Sequence, residues 1–256
     1  MKKNIFFIAA MAIVTFSNDV QAQAQAKVKT LKTYAQDSAL VKYNVADAAK
    51  PGICSEIIKK VESIDPDIKI TGATEYAPLS RVEPMLESGQ IDVFFCLLKS
   101  AERIKKYNYA SIPLYTIKHV MAVRADDDVK ISNYEDVRKL GKEGTVLVTF
   151  GSTLVKTAQA EKLTVDDSAK TDEQNFSKLL DKRARFFYGQ DMTLLTAIKN
   201  AKLEGKVKII EANFKEEPLY LATSKKLSED IFNKLQADLE KLKKSGDLDK
   251  ISAKYK

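Results

Sequence analysis

The stretch at residues 79–103, LSRVEPMLESGQIDVFFCLLKSAER, decides the fold of this chain. Its apolar residues Val82, Met85 and Leu86 recur at helical spacing. Gly89 supplies a helix stop, and residues 91–98 form the nearly continuous apolar run that is typical of a buried parallel strand. A helix, a stop and a buried strand make half of a βαβ unit, so the stretch predicts an α/β protein.

The same alternation of helix and strand recurs along the rest of the chain. Further strands are predicted at residues 31–34, 68–71, 145–150, 185–188 and 207–210, with helices between them. Two extended runs, at residues 119–123 and 218–223, would carry the chain from one half of the molecule to the other. This organisation predicts two lobes tied by two strands. Residues 27–122 and 216–256 would form a discontinuous first lobe, and residues 123–215 the second.

The N-terminus has the pattern of a secretory signal peptide. Lys2 and Lys3 precede an apolar run at residues 5–16, and a polar stretch closes on Ala22. The apolar run is shorter than the ~20 residues that a membrane-spanning helix needs. We therefore predict a signal peptide at residues 1–22. Because no cysteine follows the apolar run as a lipid attachment point, we expect a protein that diffuses freely in the periplasm.

Composition argues against several classes of function. The formal net charge is +7, but the lysines are spread among acids and no aromatic residues interleave with a basic run, so a nucleic-acid partner is not expected. Nine glycines leave little room for phosphate-cradling loops, and no Walker, dinucleotide or G-x-S-x-G pattern occurs in the sequence. The single histidine, His119, lies in an apolar run and is interpreted as structural. We expect neither a cofactor nor a metal site.

The motif order around Gly89 resembles a known family. After the helix come G-x-I-D at residues 89–92, an apolar strand and the pair Glu102-Arg103. In this order the chain resembles the family 3 extracellular solute-binding proteins of the polar amino acid type, from about Lys27 to the C-terminus. The resemblance implies a two-lobed type II periplasmic-binding-protein fold with a two-strand hinge. It also implies a small-molecule ligand in the cleft and an ABC permease in the inner membrane as the partner.

Two groups that could hold an anion follow from this resemblance. The family's ligand-carboxylate arginine matches Arg103, whose planar fork can hold a carboxylate through two hydrogen bonds. The family's G-[ST]-[ST] motif in the second lobe matches Gly151, Ser152 and Thr153, which follow a predicted strand and open a helix. Backbone N–H groups at such a helix start attract an anion. Taken alone, the tripeptide is more typical of an ordinary N-cap.

The resemblance also identifies a departure and two acidic candidates. Amino-acid binders of the family usually carry small hydroxyl residues just upstream of the arginine, where this chain has Phe95, Cys96 and Leu98. Leu98 is therefore a predicted pocket residue, in a pocket unlike the standard α-amino-acid site. Asp37 follows the first strand, where relatives often contact the ligand. Asp191 follows a second-lobe strand, where relatives often place the acid that meets an amino group.

Four further candidates have a structural alternative. Arg81 opens a helix, where a positive charge opposes the helix dipole. It is interpreted either as lining the pocket or as forming an ion pair with Glu83 or Glu75. Aromatic side chains could stack on a ligand, although each alone is more typical of packing or of the surface. These aromatic candidates are Tyr43, Tyr76 and Tyr188.

The chain has two cysteines, Cys54 and Cys96. An oxidising compartment permits a disulfide between them, and each thiol could instead be a buried small hydrophobe. In the resembled fold, the helix that begins at Cys54 and the strand that ends near Cys96 meet at one edge of the first lobe, which favours the disulfide. A catalytic thiol is not expected, because the sequence offers no histidine or Cys-x-x-Cys partner.

Together these features predict a periplasmic receptor rather than an enzyme. We expect a monomer that captures a small polar metabolite, an amino acid or a related carboxylate, for an ABC importer. Two alternatives stay open at this level. One is a cleft enzyme of the dehydratase kind, since one fold can host several functions. The other is a ligand-sensing module for a membrane signalling partner.

Overall fold

The computed structural model describes residues 28–37 and 40–256. The signal peptide predicted at residues 1–22 lies outside them. In the described part the strands are β1 Lys29–Lys32, β2 Ala35–Gln36, β3 Ile68–Thr71, β4 Tyr76–Ala77, β5 Val93–Leu98, β6 Tyr107–Arg124, β7 Val146–Leu147, β8 Val165–Asp166, β9 Phe186–Gln190 and β10 Val207–Ser224. The α-helices of the same residues are α1 Ile53–Ile64, α2 Leu79–Ser88, α3 Ala101–Lys106, α4 Tyr134–Lys139, α5 Thr153–Ala160, α6 Asp172–Leu180, α7 Asp191–Asn200, α8 Glu229–Lys244 and α9 Asp247–Ala253.

A six-stranded mixed sheet connects the two lobes. Its strand order is β5-β10-β6-β9-β7-β8. The strand β10 pairs antiparallel with both β5 and β6, whereas β7 pairs parallel with β8 and β9. Both β6 and β10 are 18 residues long, and each runs from one lobe into the other. The predicted two-lobed α/β fold with two connecting strands is thus confirmed.

Residues from both ends of the chain build the first lobe. The helix α8 has an apolar stripe that includes Leu235 and Leu239, which are completely buried. This stripe packs in one core with Leu31 of β1, Ile57 of α1 and Phe95 of β5. The first lobe is therefore discontinuous, as predicted. The predicted lobe boundaries near residues 122 and 216 fall inside β6 and β10, and they stay a prediction.

The second lobe packs helices on both faces of its part of the sheet. Phe186 and Tyr188 of β9 face one core, and Phe187 between them faces the other. This alternation is what a strand buried on both faces requires. The first of these cores lies beneath α4 and α5, and the second lies beneath α6 and α7. The parallel strands β7 and β9 have their carboxyl ends at one edge of the sheet, and the helices that follow them, α5 and α7, begin at that edge.

The predicted strands are present in the structure, but several of them differ in length from the prediction. The runs predicted at residues 207–210 and 218–223 belong to one strand, β10, and the run at 119–123 is part of the long β6. The strand predicted at 145–150 is shorter, because the paired part of β7 is only Val146–Leu147. In the described residues no helix is long and apolar enough to cross a membrane.

The core position of α8 can be tested by truncating one leucine. Leu239 is completely buried, so Leu239→Ala should lower the free energy of unfolding by about 2–5 kcal/mol. Urea denaturation measures this change. Leu195→Ala is the matched control, because Leu195 lies on α7 and is 38% exposed, and it should cost about 0.5 kcal/mol. Equal losses in the two variants would contradict the packing of α8 against the first lobe.

Candidate functional site

The end of β5 carries a bulge that shapes the edge of the first lobe. Phe95 and Cys96 are consecutive, yet both face the core beneath α1, whereas regular alternation would place them on opposite faces. Cys96 has a φ of +64°, which is uncommon for a residue other than glycine. The register between β5 and β10 shifts opposite these residues. The bulge therefore re-aims the backbone at the carboxyl end of this strand.

A disulfide joins this bulge to the start of α1. Cys54 and Cys96 are bonded, with their Cα atoms 6.2 Å apart, and both side chains are completely buried. The predicted disulfide is thus confirmed. It links α1 to the carboxyl end of β5, the strand end from which the chain enters α3.

Two side chains from the loop between β2 and α1 hold the carbonyl groups of the bulge. The Tyr43 hydroxyl donates to the Phe95 carbonyl at 3.2 Å. The Lys42 ammonium donates to the Cys96 carbonyl at 3.1 Å and to Gln36 Oε1 at 2.9 Å. The Tyr43 ring is completely buried, so the structure places this predicted stacking residue in the core. Burial raises the pKa of the Tyr43 hydroxyl, which therefore stays a neutral donor.

Arg103 lies on α3, just beyond the carboxyl end of β5, and is engaged within its own lobe. Its Nη2 and Nε atoms contact the Glu83 carboxylate of α2 at 2.5 and 3.3 Å. Its Nη1 donates to the Leu98 carbonyl at 3.1 Å. A guanidinium has five N–H donors, so two of them are not used by these three bonds. Both side chains of the pair keep some exposure, 21% for Arg103 and 27% for Glu83.

Leu98 takes part in this edge through its backbone. Its carbonyl accepts the bond from Arg103 and a second bond from the Tyr109 hydroxyl at 3.1 Å. Its side chain is half-buried. The resembled amino-acid binders usually have side-chain hydroxyl groups just before the arginine, and this chain does not. Its Arg103 is held by the Leu98 carbonyl and the Glu83 carboxylate.

The other predicted residues of the first lobe lie on its surface. Arg81 is exposed at the start of α2, and Glu83, one of its two proposed partners, pairs with Arg103 instead. Tyr76 is 43% exposed, and its hydroxyl donates to the Tyr43 carbonyl at 3.3 Å. Asp37 is exposed just after β2, beside the Tyr76 strand β4 with which β2 pairs. Tyr76 thus has a fixed hydroxyl and an accessible ring.

In the second lobe, the start of α5 keeps a backbone donor. Gly151 has a φ of +75°, and Ser152 occupies the N-cap, where its hydroxyl accepts the Leu154 N–H at 3.2 Å. The structure therefore shows the N-cap role for this hydroxyl. The N–H of Thr153, the first residue of α5, has no acceptor in residues 28–37 and 40–256. The neighbouring Phe150 is 63% exposed.

Tyr188 and Asp191 lie where β9 meets α7, close to the connecting strands. The Tyr188 hydroxyl is buried between the Tyr134 hydroxyl, at 2.7 Å, and His119 Nδ1. Tyr188 is completely buried, so the structure places it in the core of the second lobe. The carboxylate of Asp191 accepts the backbone N–H of Lys118 on β6 at 3.1 Å. Asp191 is only 9% exposed.

His119 bridges the two connecting strands. Its Nε2 lies 2.9 Å from the Glu217 carboxylate of β10, and the ring is 1% exposed. Burial lowers the pKa of His119, and Glu217 opposes this shift. The net direction favours a neutral ring, in which one nitrogen donates a hydrogen bond and the other accepts one.

Comparison with known proteins connects this geometry to a family. The bacterial extracellular solute-binding proteins, family 3, match residues 36–256, which is most of the chain and includes both lobes. The chain belongs to this family. The resemblance seen in the sequence is therefore confirmed. As a family 3 solute-binding protein, the chain is expected to work outside the cytoplasm, and its cleft is the place where such a protein holds a solute.

Several solved structures share the fold. A probable amino-acid ABC transporter extracellular-binding protein from Bacillus subtilis has a TM-score of 0.72 at 19% identity, over 90% of this chain and 98% of that one. An ancestral amino acid-binding protein, described as a precursor of cyclohexadienyl dehydratase, has a TM-score of 0.61 at 23% identity, over 88% and 95%. The GluR0 ligand-binding core from Nostoc punctiforme, in complex with L-glutamate, has a TM-score of 0.61 at 18% identity, over 88% and 98%. None of the curated proteins matches the chain.

Sequence reasoning missed Lys42 and the engagement of Arg103 by Glu83. Lys42 lies between the apolar residues Val41 and Tyr43, and a single charge in an apolar run is a signal that could have identified it. No comparable signal exists for Glu83, because its partner lies 20 residues away on another helix.

Removal of the disulfide should destabilise the first lobe measurably. The bond closes a loop with a sequence separation of 42 residues, for which chain entropy predicts a loss of about 4 kcal/mol in the double variant Cys54→Ser/Cys96→Ser. Urea denaturation of the oxidised protein measures this loss. A reducing agent should destabilise the wild type by a similar amount and leave the double variant unchanged. A double variant as stable as the oxidised wild type would refute this role of the disulfide.

Proposed function

We propose that this protein is a periplasmic receptor that captures a small carboxylate-bearing metabolite, an amino acid or a related compound, and delivers it to an ABC importer. It reaches the periplasm by means of the signal peptide predicted at residues 1–22 and acts as a monomer. Family membership and the likeness to amino-acid-binding proteins support a receptor with a small-molecule ligand. The ligand class, the importer and the monomeric state go beyond those findings and are part of the proposal.

The observation that carries this proposal is an anion donor beyond the carboxyl end of a strand in each lobe, after β5 in the first and after β7 in the second. The first lobe offers the unused N–H edge of Arg103 beyond β5. The second lobe offers the N–H of Thr153 at the start of α5. In open α/β sheets, ligands bind outside the carboxyl ends of the strands, where both groups lie. A carboxylate that meets both donors would favour closure of the two lobes around it.

The remaining candidates receive roles that agree with their positions. Asp191 would accept the ammonium group of an amino acid through its second carboxylate oxygen. Tyr76 and Phe150, the exposed aromatic side chains of the two lobes, would form apolar walls. Tyr43 and Tyr188 would support these walls from within the cores.

The state of the acids supports binding over acid–base chemistry. Glu83 is committed to Arg103, and Asp191 accepts a backbone N–H. A dehydratase needs an acid or base poised to exchange a proton with its substrate, and a carboxylate held in an ion pair with arginine is a weak base. For these two acids, the contacts favour a role in binding over one in proton transfer.

The melting temperature of the purified protein, refolded free of carried-over ligand, tests this proposal. The panel contains L-amino acids, dicarboxylates, polyamines and aromatic acids. A compound present at about 100 times its Kd should raise the melting temperature by roughly 5 to 10 °C. Carboxylate-bearing compounds should give this shift and polyamines should not. If no carboxylate in the panel shifts the melting temperature, the proposed ligand class is wrong.

Two arginine variants separate binding from general effects of charge. Arg103→Gln should remove most of the ligand-induced shift, because the neutral amide loses the charge-assisted bond to the carboxylate. Arg183→Gln removes the same charge from an exposed site, where the side chain is 70% exposed, and should keep the full shift. A shift that survives in Arg103→Gln would exclude Arg103 from the binding site.

A further inference from the structure

Lys42 carries a charge that the first lobe does not neutralise. Its ammonium nitrogen donates to two neutral acceptors, Gln36 Oε1 at 2.9 Å and the Cys96 carbonyl at 3.1 Å. Among the residues that the structure describes, no carboxylate forms an ion pair with Lys42. Arg103 differs in this respect, because Glu83 neutralises it through two contacts. Unlike Arg103, Lys42 therefore lacks a counter-ion among the described residues.

The groups packed against Lys42 make this charge costly. From β2 comes the neutral amide of Gln36, from β5 the carbonyl of the disulfide-bonded Cys96, and from α3 the positive Arg103, with Glu83 of α2 engaged by that arginine. Burial, and to a smaller degree Arg103, lowers the pKa of Lys42 to about 8. A buried ammonium group without a counter-ion is unfavourable. An anion bound beside the ammonium would offset this cost.

We propose that the Lys42 ammonium is the direct anion anchor of the first lobe and that a ligand carboxylate accepts its third N–H. This inference rests on the proposed receptor function and adds a residue to its site. An ammonium has three donors, and two of them are used here. Arg103 then binds the same carboxylate from its unused edge, while Glu83 keeps its guanidinium in place. The ligand must therefore carry a carboxylate that reaches past Arg103 to the loop before α1.

A proton is taken up when an anion binds at this position. In the free protein Lys42 loses its proton as the pH rises through about 8. A bound carboxylate stabilises the charged form and raises the pKa of Lys42. Affinity should consequently be highest below pH 8 and should fall by up to about tenfold per pH unit above it, until the pKa of the bound form is reached.

Binding constants of three lysine variants test this anchor. The probes are L-glutamine, L-arginine, L-glutamate and succinate, measured by titration calorimetry. For each probe that binds the wild type, Lys42→Met should weaken binding roughly 10- to 100-fold at pH 7. Lys42→Arg keeps the charge and does not titrate, so its affinity should lack the decline of the wild type above pH 8. Lys59→Met, which removes an exposed charge from α1, should bind as the wild type does.

A second measurement does not depend on a known ligand. The pKa of Lys42 can be followed by NMR in protein with ¹³C-labelled lysine, with the signal assigned by its loss in Lys42→Arg. Sodium acetate, as an isolated carboxylate, should raise this pKa relative to sodium chloride at the same ionic strength. The signal of Lys59 should not respond. An unchanged Lys42 pKa in acetate would overturn the anchor.

The two measurements separate this inference from the receptor function. If probes bind the wild type and Lys42→Met equally well over the whole pH range, the receptor stands and the anchor is overturned. If no probe binds but acetate raises the pKa of Lys42, the anchor is supported and the proposed ligand class fails.

Discussion

The pairing of β6 with β10 is the constraint on which the rest of the structure depends. Both strands cross from one lobe to the other, so each lobe completes its sheet with both of them. This arrangement brings the C-terminal helices back to the first lobe, where α8 closes the core. The ladder is interrupted between the pairs Ile210–Met121 and Lys215–His119. Fewer backbone hydrogen bonds join β6 and β10 at this interruption. The backbone can therefore change its dihedral angles more easily there than in the rest of the ladder, as a hinge requires.

The electrostatics of the first-lobe edge depend on the bulge in β5. Because the bulge turns the Cys96 carbonyl toward Lys42, the lysine is drawn into a partly buried position beside Arg103. The disulfide at Cys96 and the hydrogen bond from the Tyr43 hydroxyl to the Phe95 carbonyl also hold this bulge in place. The cost of burying the ammonium is thus imposed by the backbone rather than relieved by a local acid. A bound ligand anion would offset the cost of burying the ammonium. Binding at this edge would then also stabilise the folded state.

The elements that local sequence determines could be predicted, and the contacts between distant segments could not. The strand at residues 68–71 and the helix α2 follow from apolar periodicity, which places them close to their observed bounds. β10 was divided in two, because the polar run Lys215-Glu216-Glu217 breaks its apolar pattern. That run stays in the ladder because β6 supplies backbone partners and Lys118 and His119 supply side-chain partners for its acids. Likewise Arg103 was identified, but its pairing with Glu83 depends on how α2 and α3 meet.

The departure from the family's hydroxyl residues has a physical consequence for recognition. Hydroxyl groups offer short, directional bonds, and they accept as well as donate. At this edge the donors are instead an ammonium and the outer edge of a guanidinium, which only donate and which carry charge. Such donors stabilise an anion strongly. Under the proposed function, selectivity would come from the opposite lobe, where Asp191 and the start of α5 would contact the ligand when the lobes close. The first lobe would then recognise the anion, the second lobe would recognise the rest of the ligand on closure, and the hinge would connect the two steps.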